Sequence, residues 1–154
     1  MAVIEDPTKV PGRRGTVYPA PFAQGFDGRL KRALTQALGL TQFGVNLTTL
    51  EPGAMSAQRH WHAMEDEFVY MLTGELTLVT EDGEKILKPG MAAGFPKGEA
   101  NGHQLINRTR APATYLEIGT RSSDDDVVYP DIDMLGHKRD GRYRFTHNTG
   151  EPYP

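Results

Sequence analysis

The sequence predicts an all-β protein built as one domain. From Phe43 onward, short runs of β-branched and aromatic residues follow one another, and each run ends at a Gly, a Pro or an Asp-Gly pair. Gly and Pro make up 28 of the 154 residues and are spread along the chain, as a protein with many turns requires. A chain of this length falls in the usual range of one domain. Short strands at this spacing indicate a sandwich or a barrel.

Residues 1–42 are predicted to form an arm followed by one short helix. Residues 1–27 are rich in Pro and Gly and contain scattered aromatic side chains. Within residues 29–38, Leu30, Leu34 and Leu38 recur at helical spacing, and Gly39 follows as a helix-ending residue. We interpret this helix as a cover for the β-structure.

Residues 43–120 contain the eight predicted strands of the barrel. They are Phe43–Leu50, Gln58–His62, Glu67–Thr73, Glu75–Thr80, Lys85–Lys88, Ala92–Phe95, His103–Asn107 and Thr114–Gly119. The Asp82-Gly83 pair between two of them predicts a tight hairpin, because Asp-Gly supplies the positive φ angles of a type I′ turn. Neighbouring strands there should be antiparallel.

Residues 121–154 are predicted to be an irregular C-terminal extension. This segment is polar and includes Asp124-Asp125-Asp126, which we interpret as a solvated loop. Its aromatic residues are expected to pack on the barrel or on a second subunit. His137 and His147 have no second ligand at strand or helix spacing and are expected to be exposed.

Composition argues against several classes of function. The net charge is −3, with 17 basic and 20 acidic residues intermixed, so nucleic-acid binding is not expected. Cys is absent, which leaves His and carboxylates as the strong metal ligands. The chain has no long apolar stretch, no basic leader, and no motif of serine hydrolases, kinases or nicotinamide enzymes. We expect a soluble, cytoplasmic protein without a membrane partner.

Four residues are candidate metal ligands. His60 and His62 are one residue apart, so in a strand both rings point to the same face, about 7 Å apart along the backbone. Glu67 follows a short acidic connection; Glu65 has the same strand phase and is an alternative, although it falls in the turn. His103 lies well downstream and must arrive through folding. Three imidazoles and one carboxylate suit Fe²⁺, Mn²⁺, Ni²⁺, Cu²⁺ or Zn²⁺, with positions left for water and substrate.

These residues lie in two motifs that resemble those of the cupin superfamily. Residues 53–74 contain a Gly, a His-x-His pair, a Glu after four further residues and a closing Gly. Residues 90–107 resemble the second motif through Gly90, Pro96, Gly98, His103 and Asn107. The connections before His60 and before His103 are longer than in the family pattern.

The resemblance implies a double-stranded β-helix, or jelly-roll barrel, as in the stand-alone bacterial cupins. It also implies one divalent transition metal ion held by His60, His62, Glu67 and His103, and a homodimer. Some cupins keep such side chains without a metal and use the pocket for binding alone, which is the alternative.

Strand parity predicts four pocket residues beside the ligands, Gln58, Val69, Met71 and Leu105. Phe95, one residue before the Pro96 turn, is a fifth candidate, for which a plain core role is the alternative. Most of them are apolar, so we expect an apolar pocket in which Gln58 is the one polar helper. Trp61, Phe68 and Tyr70 have the opposite parity and are expected on the outer face.

The resemblance favours a metal-dependent enzyme that acts on a small organic molecule inside the barrel. It leaves dioxygenase, isomerase or epimerase, and lyase reactions open, and no general base is predicted. A non-catalytic ligand-binding or metal-binding sensor is the second hypothesis. A sugar-phosphate isomerase is the third; it needs a cationic phosphate clamp, for which Arg59 and Arg108 are candidates although their phase points outward.

Overall fold

The fold was described from a computed structural model that covers residues 1–154. The strands are β1 (Gly12–Arg13), β2 (Arg29–Ala33), β3 (Phe43–Leu50), β4 (Trp61–His62), β5 (Glu67–Thr73), β6 (Leu76–Thr80), β7 (Gly83–Leu87), β8 (Ala92–Phe95), β9 (Gln104–Ile106), β10 (Ala113–Thr120), β11 (Asp125–Tyr129), β12 (Met134–Arg139) and β13 (Arg142–Thr146). The one α-helix is α1 (Leu34–Ala37), and 3₁₀ turns lie at Pro7–Lys9 and Ala20–Phe22. The all-β fold class is therefore confirmed.

Three antiparallel sheets build the molecule. The largest has the strand order β1-β2-β3-β10-β5-β8, the second is β13-β12-β11-β4, and the third is β7-β6-β9. The main core lies between the first and third sheets and consists of Leu50, Ala54, Val69, Met71, Leu76, Leu78, Leu87, Leu105, Ala113 and Tyr115. The predicted Asp-Gly hairpin joins β6 to β7, with Thr80 paired opposite Gly83.

The predicted helix over residues 29–38 is wrong in its first half. Residues Arg29–Ala33 form β2, which pairs with β3 along its whole length, and only one helical turn follows. The leucine spacing favours a helix, but pairing with an available neighbouring strand overrides a weak local preference. The consequence is that Arg29 and Lys31 share the inner face of the sheet.

The prediction of an irregular C-terminal extension is also wrong. Strands β11, β12 and β13 form an antiparallel meander, and β11 pairs with the two-residue strand β4. A second core of Val127, Tyr129 and Met134 lies here. Aromatic side chains of the N-terminal arm pack on it, including Tyr18 and Phe22. This extension therefore braces the strand that carries His62.

The outer face of β5 remains partly exposed. Phe68, Tyr70 and Leu72 are each about 40% exposed, in agreement with the outward parity expected for the first two. The homodimer stays a prediction. No helix of the protein has the length and apolar character needed to cross a membrane.

Candidate metal centre

The four predicted ligands come together at one point in the fold. His60 and His103 form an isolated β-bridge, in which the His103 amide donates to the His60 carbonyl at 2.9 Å. Glu67 is the first residue of β5, and its Oε2 lies 2.7 Å from Nε2 of His103. The same oxygen lies 3.4 Å from Nε2 of His62 and 3.5 Å from Nε2 of His60. Three imidazole nitrogens therefore surround one carboxylate oxygen.

The donor atoms fit a divalent transition metal. Oε2 of Glu67 is buried and has no donor aligned for a hydrogen bond. The donor atoms of His60, His62 and Glu67 lie within 4.8 Å of one another. Imidazole and carboxylate are ligands that Fe²⁺, Mn²⁺, Ni²⁺, Cu²⁺ and Zn²⁺ accept, so these residues could hold one such ion. The ligand set does not select among these metals.

Backbone and carboxylate partners orient two of the imidazoles. Nδ1 of His60 lies 2.8 Å from the carbonyl of Gln58, and Nδ1 of His62 lies 2.5 Å from Oδ2 of Asp125. A proton on each Nδ1 leaves the Nε2 lone pair free and directed at the centre. Nδ1 of His103 has no partner, and its ring instead stacks on Phe95 with centroids 3.6 Å apart.

Charge effects favour the metal-binding protonation states of Glu67 and His103 but the protonated form of His62. Burial works against the charged form of Glu67, but the imidazoles of His103 and His60 outweigh it and hold the pKa of Glu67 well below its usual range. Burial lowers the pKa of His103 despite the opposing effect of Glu67. Burial alone would also lower the pKa of His62, but the hydrogen bond to Asp125 and the nearby carboxylates raise it.

Asp125 is a functional residue that the sequence analysis missed. It was assigned to a solvated loop, but its side chain is fully buried because β11 carries it against β4. Its Oδ1 accepts from the Met64 amide at 2.8 Å, so both carboxylate oxygens are used. The alternation of Asp125, Val127 and Tyr129 on one strand face was the available signal.

Glu65, the alternative ligand, is committed to other partners. Its Oε1 accepts from Nζ of Lys138 at 2.7 Å and from the Ser122 amide at 2.8 Å. It lies close to His62 and Asp125 and is buried. We interpret it as a residue that ties the ligand loop to β12 rather than as a ligand.

The ligand cluster lies between two cavities of about 850 and 340 Å³. Both cavities are lined by His62, Glu65, Glu67 and His103. Among the predicted pocket residues, Val69 and Leu105 line the larger cavity and Phe95 lines the smaller one.

Two predicted pocket residues line neither cavity. Met71 is fully buried in the core. The side chain of Gln58 is directed away from the centre and donates to the carbonyl of Phe22 at 3.1 Å. Gln58 therefore acts on the site through its own carbonyl, which holds His60.

The expectation of a mostly apolar pocket is wrong. The inner face of β2, β3 and β10 carries a row of polar side chains: Arg29, Lys31, Asn46, Thr48, Tyr115 and Glu117. Strands β3 and β10 were predicted correctly, and alternation along them places Asn46, Thr48, Tyr115 and Glu117 on the inner face. Because residues 29–33 were predicted as a helix and not as a strand, the inward positions of Arg29 and Lys31 were not predicted.

The larger cavity carries more basic than acidic side chains. Its basic residues are Arg13, Arg29, Lys31, Arg121 and Lys138, and its acidic residues are Glu65, Glu67 and Glu117. Lys31 pairs with Glu117 and Lys138 with Glu65, each at 2.6–2.7 Å. Arg13, Arg29 and Arg121 have no acidic partner; Arg29 is buried and donates to backbone carbonyls of Gly15 and Ser56.

Arg59 and Arg108, the candidates for a phosphate clamp, lie outside both cavities, as their outward strand phase indicated. Arg59 pairs with Asp131 and Glu81, and Arg108 pairs with Glu84. Neither lines the cavities at the ligand cluster. His137 and His147, which bond to Asp126 and Asp133, are also outside both cavities.

Comparison with known proteins identifies the family. Residues 46–119 match the family model of the Cupin domain. The chain is 45% identical to a sugar phosphate isomerase from a cupin superfamily, from Silicibacter pomeroyi; the match covers 97% of this chain and 95% of that one, with a TM-score of 0.92. A protein from Acidithiobacillus ferrooxidans that carries the name sugar phosphate isomerase provisionally is 27% identical, with coverage of 97% and 92% and a TM-score of 0.82.

A more distant likeness concerns the fold alone. A polyketide cyclase from Streptomyces resistomycificus is 20% identical, with coverage of 78% and 80% and a TM-score of 0.64. No curated relative matches the chain. The family model, the motifs and the near-complete match to a cupin structure agree, and the chain belongs to the cupin superfamily, with its jelly-roll fold.

Proposed function

We propose that this protein is a metal-dependent isomerase of a small phosphorylated sugar, with one divalent ion held by His60, His62, Glu67 and His103. The observation that carries the proposal is the excess of basic side chains in the cavity that the ligand cluster shares. The similarity to a sugar phosphate isomerase over nearly the whole chain supports it. Among the three hypotheses from the sequence, this one fits the charge of the cavity best.

The charge distribution suits a phosphate group. A phosphate monoester carries close to two negative charges at neutral pH, and Arg binds phosphate oxygens in a planar, bidentate manner. Arg13, Arg29 and Arg121 are free of acidic partners and line the cavity. Electrostatic attraction inside a partly enclosed cavity is screened less than at an open surface. The volume of about 850 Å³ is within the usual range of small-molecule pockets.

Within the site, some residues would hold the metal ion and others orient its imidazole ligands. A bound divalent ion would act as a Lewis acid that polarises a carbonyl oxygen. Asp125 and the Gln58 carbonyl fix the tautomers of His62 and His60. Tyr18, Tyr129 and Tyr143 line the same cavity.

Metal analysis and a substrate panel test the proposal. Protein purified without added metal is compared with His60→Ala and His62→Ala, and then assayed with phosphorylated and unphosphorylated aldoses and ketoses. We expect about one ion per chain in the wild type, loss of that ion in both variants, and turnover of phosphorylated sugars only. Absence of bound metal from the wild type, or turnover of unphosphorylated sugars at the same rate, would contradict the proposal.

A matched pair of arginine variants tests the role of the cavity charge. Arg121→Met removes an unpaired cation of the cavity, whereas Arg108→Met removes one that pairs with Glu84 outside it. We expect the KM for the phosphorylated substrate to rise about tenfold in the first variant, since one charge contact with phosphate contributes roughly 1–2 kcal/mol. The second variant should leave the KM unchanged. Metal-loaded protein that binds the sugar without turnover would instead favour the non-catalytic binding module.

A further inference from the structure

We infer that Glu117 is the general base that moves a proton between neighbouring carbon atoms of the substrate. This inference rests on the proposed isomerase function and assigns a residue to its central step. It starts from the position of Glu117 in the barrel, the surroundings of its two carboxylate oxygens and its greater exposure compared with Glu65, the other cavity glutamate outside the ligand set.

Glu117 lies on the same inner face as the ligand cluster. In the pairing of β10 with β5, Gly119 is opposite Glu67 and Glu117 is opposite Val69. Two residues along a strand correspond to about 7 Å, so Glu117 is the next inward position after the row that contains Glu67. Both glutamates line the larger cavity. A small molecule in this cavity that reaches the ligand cluster can therefore also contact Glu117.

The two oxygens of Glu117 have different surroundings. Oε1 accepts from Nζ of Lys31 at 2.6 Å and from Nδ2 of Asn46 at 3.2 Å. These two bonds fix the orientation of the carboxylate. Oε2 accepts no hydrogen bond within the protein and is not fully buried, and the side chain, which is 20% exposed, lines the larger cavity. One oxygen thus holds the group in place while the other is free to accept a proton.

The other glutamate of the cavity outside the ligand set, Glu65, is less accessible. Its Oε1 is held by Lys138 and the Ser122 amide, and its side chain is 10% exposed, against 20% for Glu117. Burial raises the pKa of the cavity tyrosines, which are Tyr18, Tyr115, Tyr129 and Tyr143. A phenol with a raised pKa donates protons and does not remove them from carbon. Glu117 is therefore the more exposed of the two cavity glutamates outside the ligand set.

The reaction needs no oxidant or second reactant. Oε2 takes the proton from the carbon next to the carbonyl group, the C–H electron pair forms a double bond between the two carbons, and the carbonyl π electrons move to its oxygen. That oxygen gains a proton as the neighbouring hydroxyl loses one, which passes through an enediol. Glu117 then returns its proton to the former carbonyl carbon, and the hydroxyl oxygen becomes the new carbonyl. The product is an isomer of the substrate.

The test uses Glu117→Gln with Glu84→Gln as the matched control. Glu84 is also ion-paired, with Arg108, but lies outside both cavities. The measurements are kcat, deuterium incorporation at the substrate carbon in D₂O, metal content and substrate affinity by calorimetry. For Glu117→Gln we expect kcat to fall about 10³-fold, within the usual 10²–10⁴ range for a general base, with deuterium incorporation lost. Metal content and substrate affinity should stay within about threefold of the wild type, and Glu84→Gln should match the wild type throughout.

A second variant distinguishes the loss of the general base from a loss of folding. Glu117→Asp keeps the charge beside Lys31 but draws the oxygens back by one methylene, so kcat should fall about 10- to 100-fold. Glu117→Gln that retains kcat within tenfold of an active wild type would overturn the role of Glu117 and leave the isomerase function standing. A metal-loaded wild type that isomerises no phosphorylated sugar would overturn both.

Discussion

The two sheets that form the walls of the barrel, the three-stranded sheet and the six-stranded sheet, carry different kinds of side chain on their inner faces. The three-stranded sheet β7-β6-β9 contributes leucines to the interior, namely Leu76, Leu78, Leu87 and Leu105. The opposite sheet adds Leu50, Val69 and Met71 to the same core, and its inner face also carries Arg29, Lys31, Thr48, Tyr115 and Glu117. Each fully buried leucine contributes about 1.5–3 kcal/mol to stability, whereas buried polar groups contribute little unless they are bonded. One wall therefore contributes only leucines to the core, whereas the other combines core packing with the polar groups that a ligand needs.

Several buried polar atoms on the inner face of the six-stranded sheet have no hydrogen-bond partner within the protein. The hydroxyls of Thr48 and Tyr115 are buried and have no hydrogen-bond partner, and neither has Nε of Arg29. Unpaired buried polar atoms lower stability by roughly 1–3 kcal/mol each. Such groups are unusual in a wall whose only role is packing, which agrees with a role in binding.

The largest effect is expected from the apolar wall. Leu76→Ala removes a side chain that is 1% exposed and should lower the free energy of unfolding by about 2–5 kcal/mol. Urea denaturation measures this, and metal content of the folded protein should be unchanged. Ile86→Ala, on the paired strand but 54% exposed, is the control and should change stability by less than about 0.5 kcal/mol. Equal effects of the two variants would contradict the division between core and surface.

Glu67→Ala is expected to have the next largest effect, on metal affinity. Removing the one carboxylate at the centre of the three imidazoles should weaken binding of a divalent ion on the order of 100-fold or more. Isothermal titration with Zn²⁺ or Mn²⁺ measures the affinity. Glu84→Ala is the control, and wild-type affinity in Glu67→Ala would remove Glu67 from the ligand set.

Asp125→Asn should weaken metal binding less than the loss of a ligand. The amide preserves the size of the side chain but removes the charge that orients Nδ1 of His62, so a 10- to 100-fold loss of affinity is expected. The same titration measures it, with Asp124→Asn as a neighbouring exposed control. Unchanged affinity would show that β11 supports the strand without tuning the ligand.

Tyr115→Phe should have the smallest effect, and it should be stabilising. The ring is fully buried while its hydroxyl is unpaired, so its removal should raise the free energy of unfolding by about 1 kcal/mol. Thermal unfolding of the ligand-free protein tests this, with Tyr70→Phe on the outer face of β5 as the control. A loss of stability would mean that the hydroxyl has a partner in solution.

The sequence predicted those parts of the molecule in which local pattern and fold agree. In β3, β5 and β10, alternation coincided with strand structure, and His60, His62, Glu67 and His103 were brought together as the motifs implied. In residues 29–33, the leucine spacing favoured a helix, and only pairing with β3 reveals a strand. Asp125 could not be found from the motifs because its role depends on contact between β11 and β4, far apart in sequence. On the inner face of the six-stranded sheet, the positions of Arg29 and Lys31 depend on the register of β2 against β3, which alternation alone does not supply.

The bond between His62 and Asp125 joins residues 63 positions apart in the chain. During synthesis the strands of the barrel emerge first, and β11 follows after all four ligands have left the ribosome. Until β11 arrives, β4 has no strand partner and the imidazole of His62 has no group to set its tautomer. Uptake of the ion is therefore expected to be a late step in maturation, reached only when the end of the chain closes over the ligand strand.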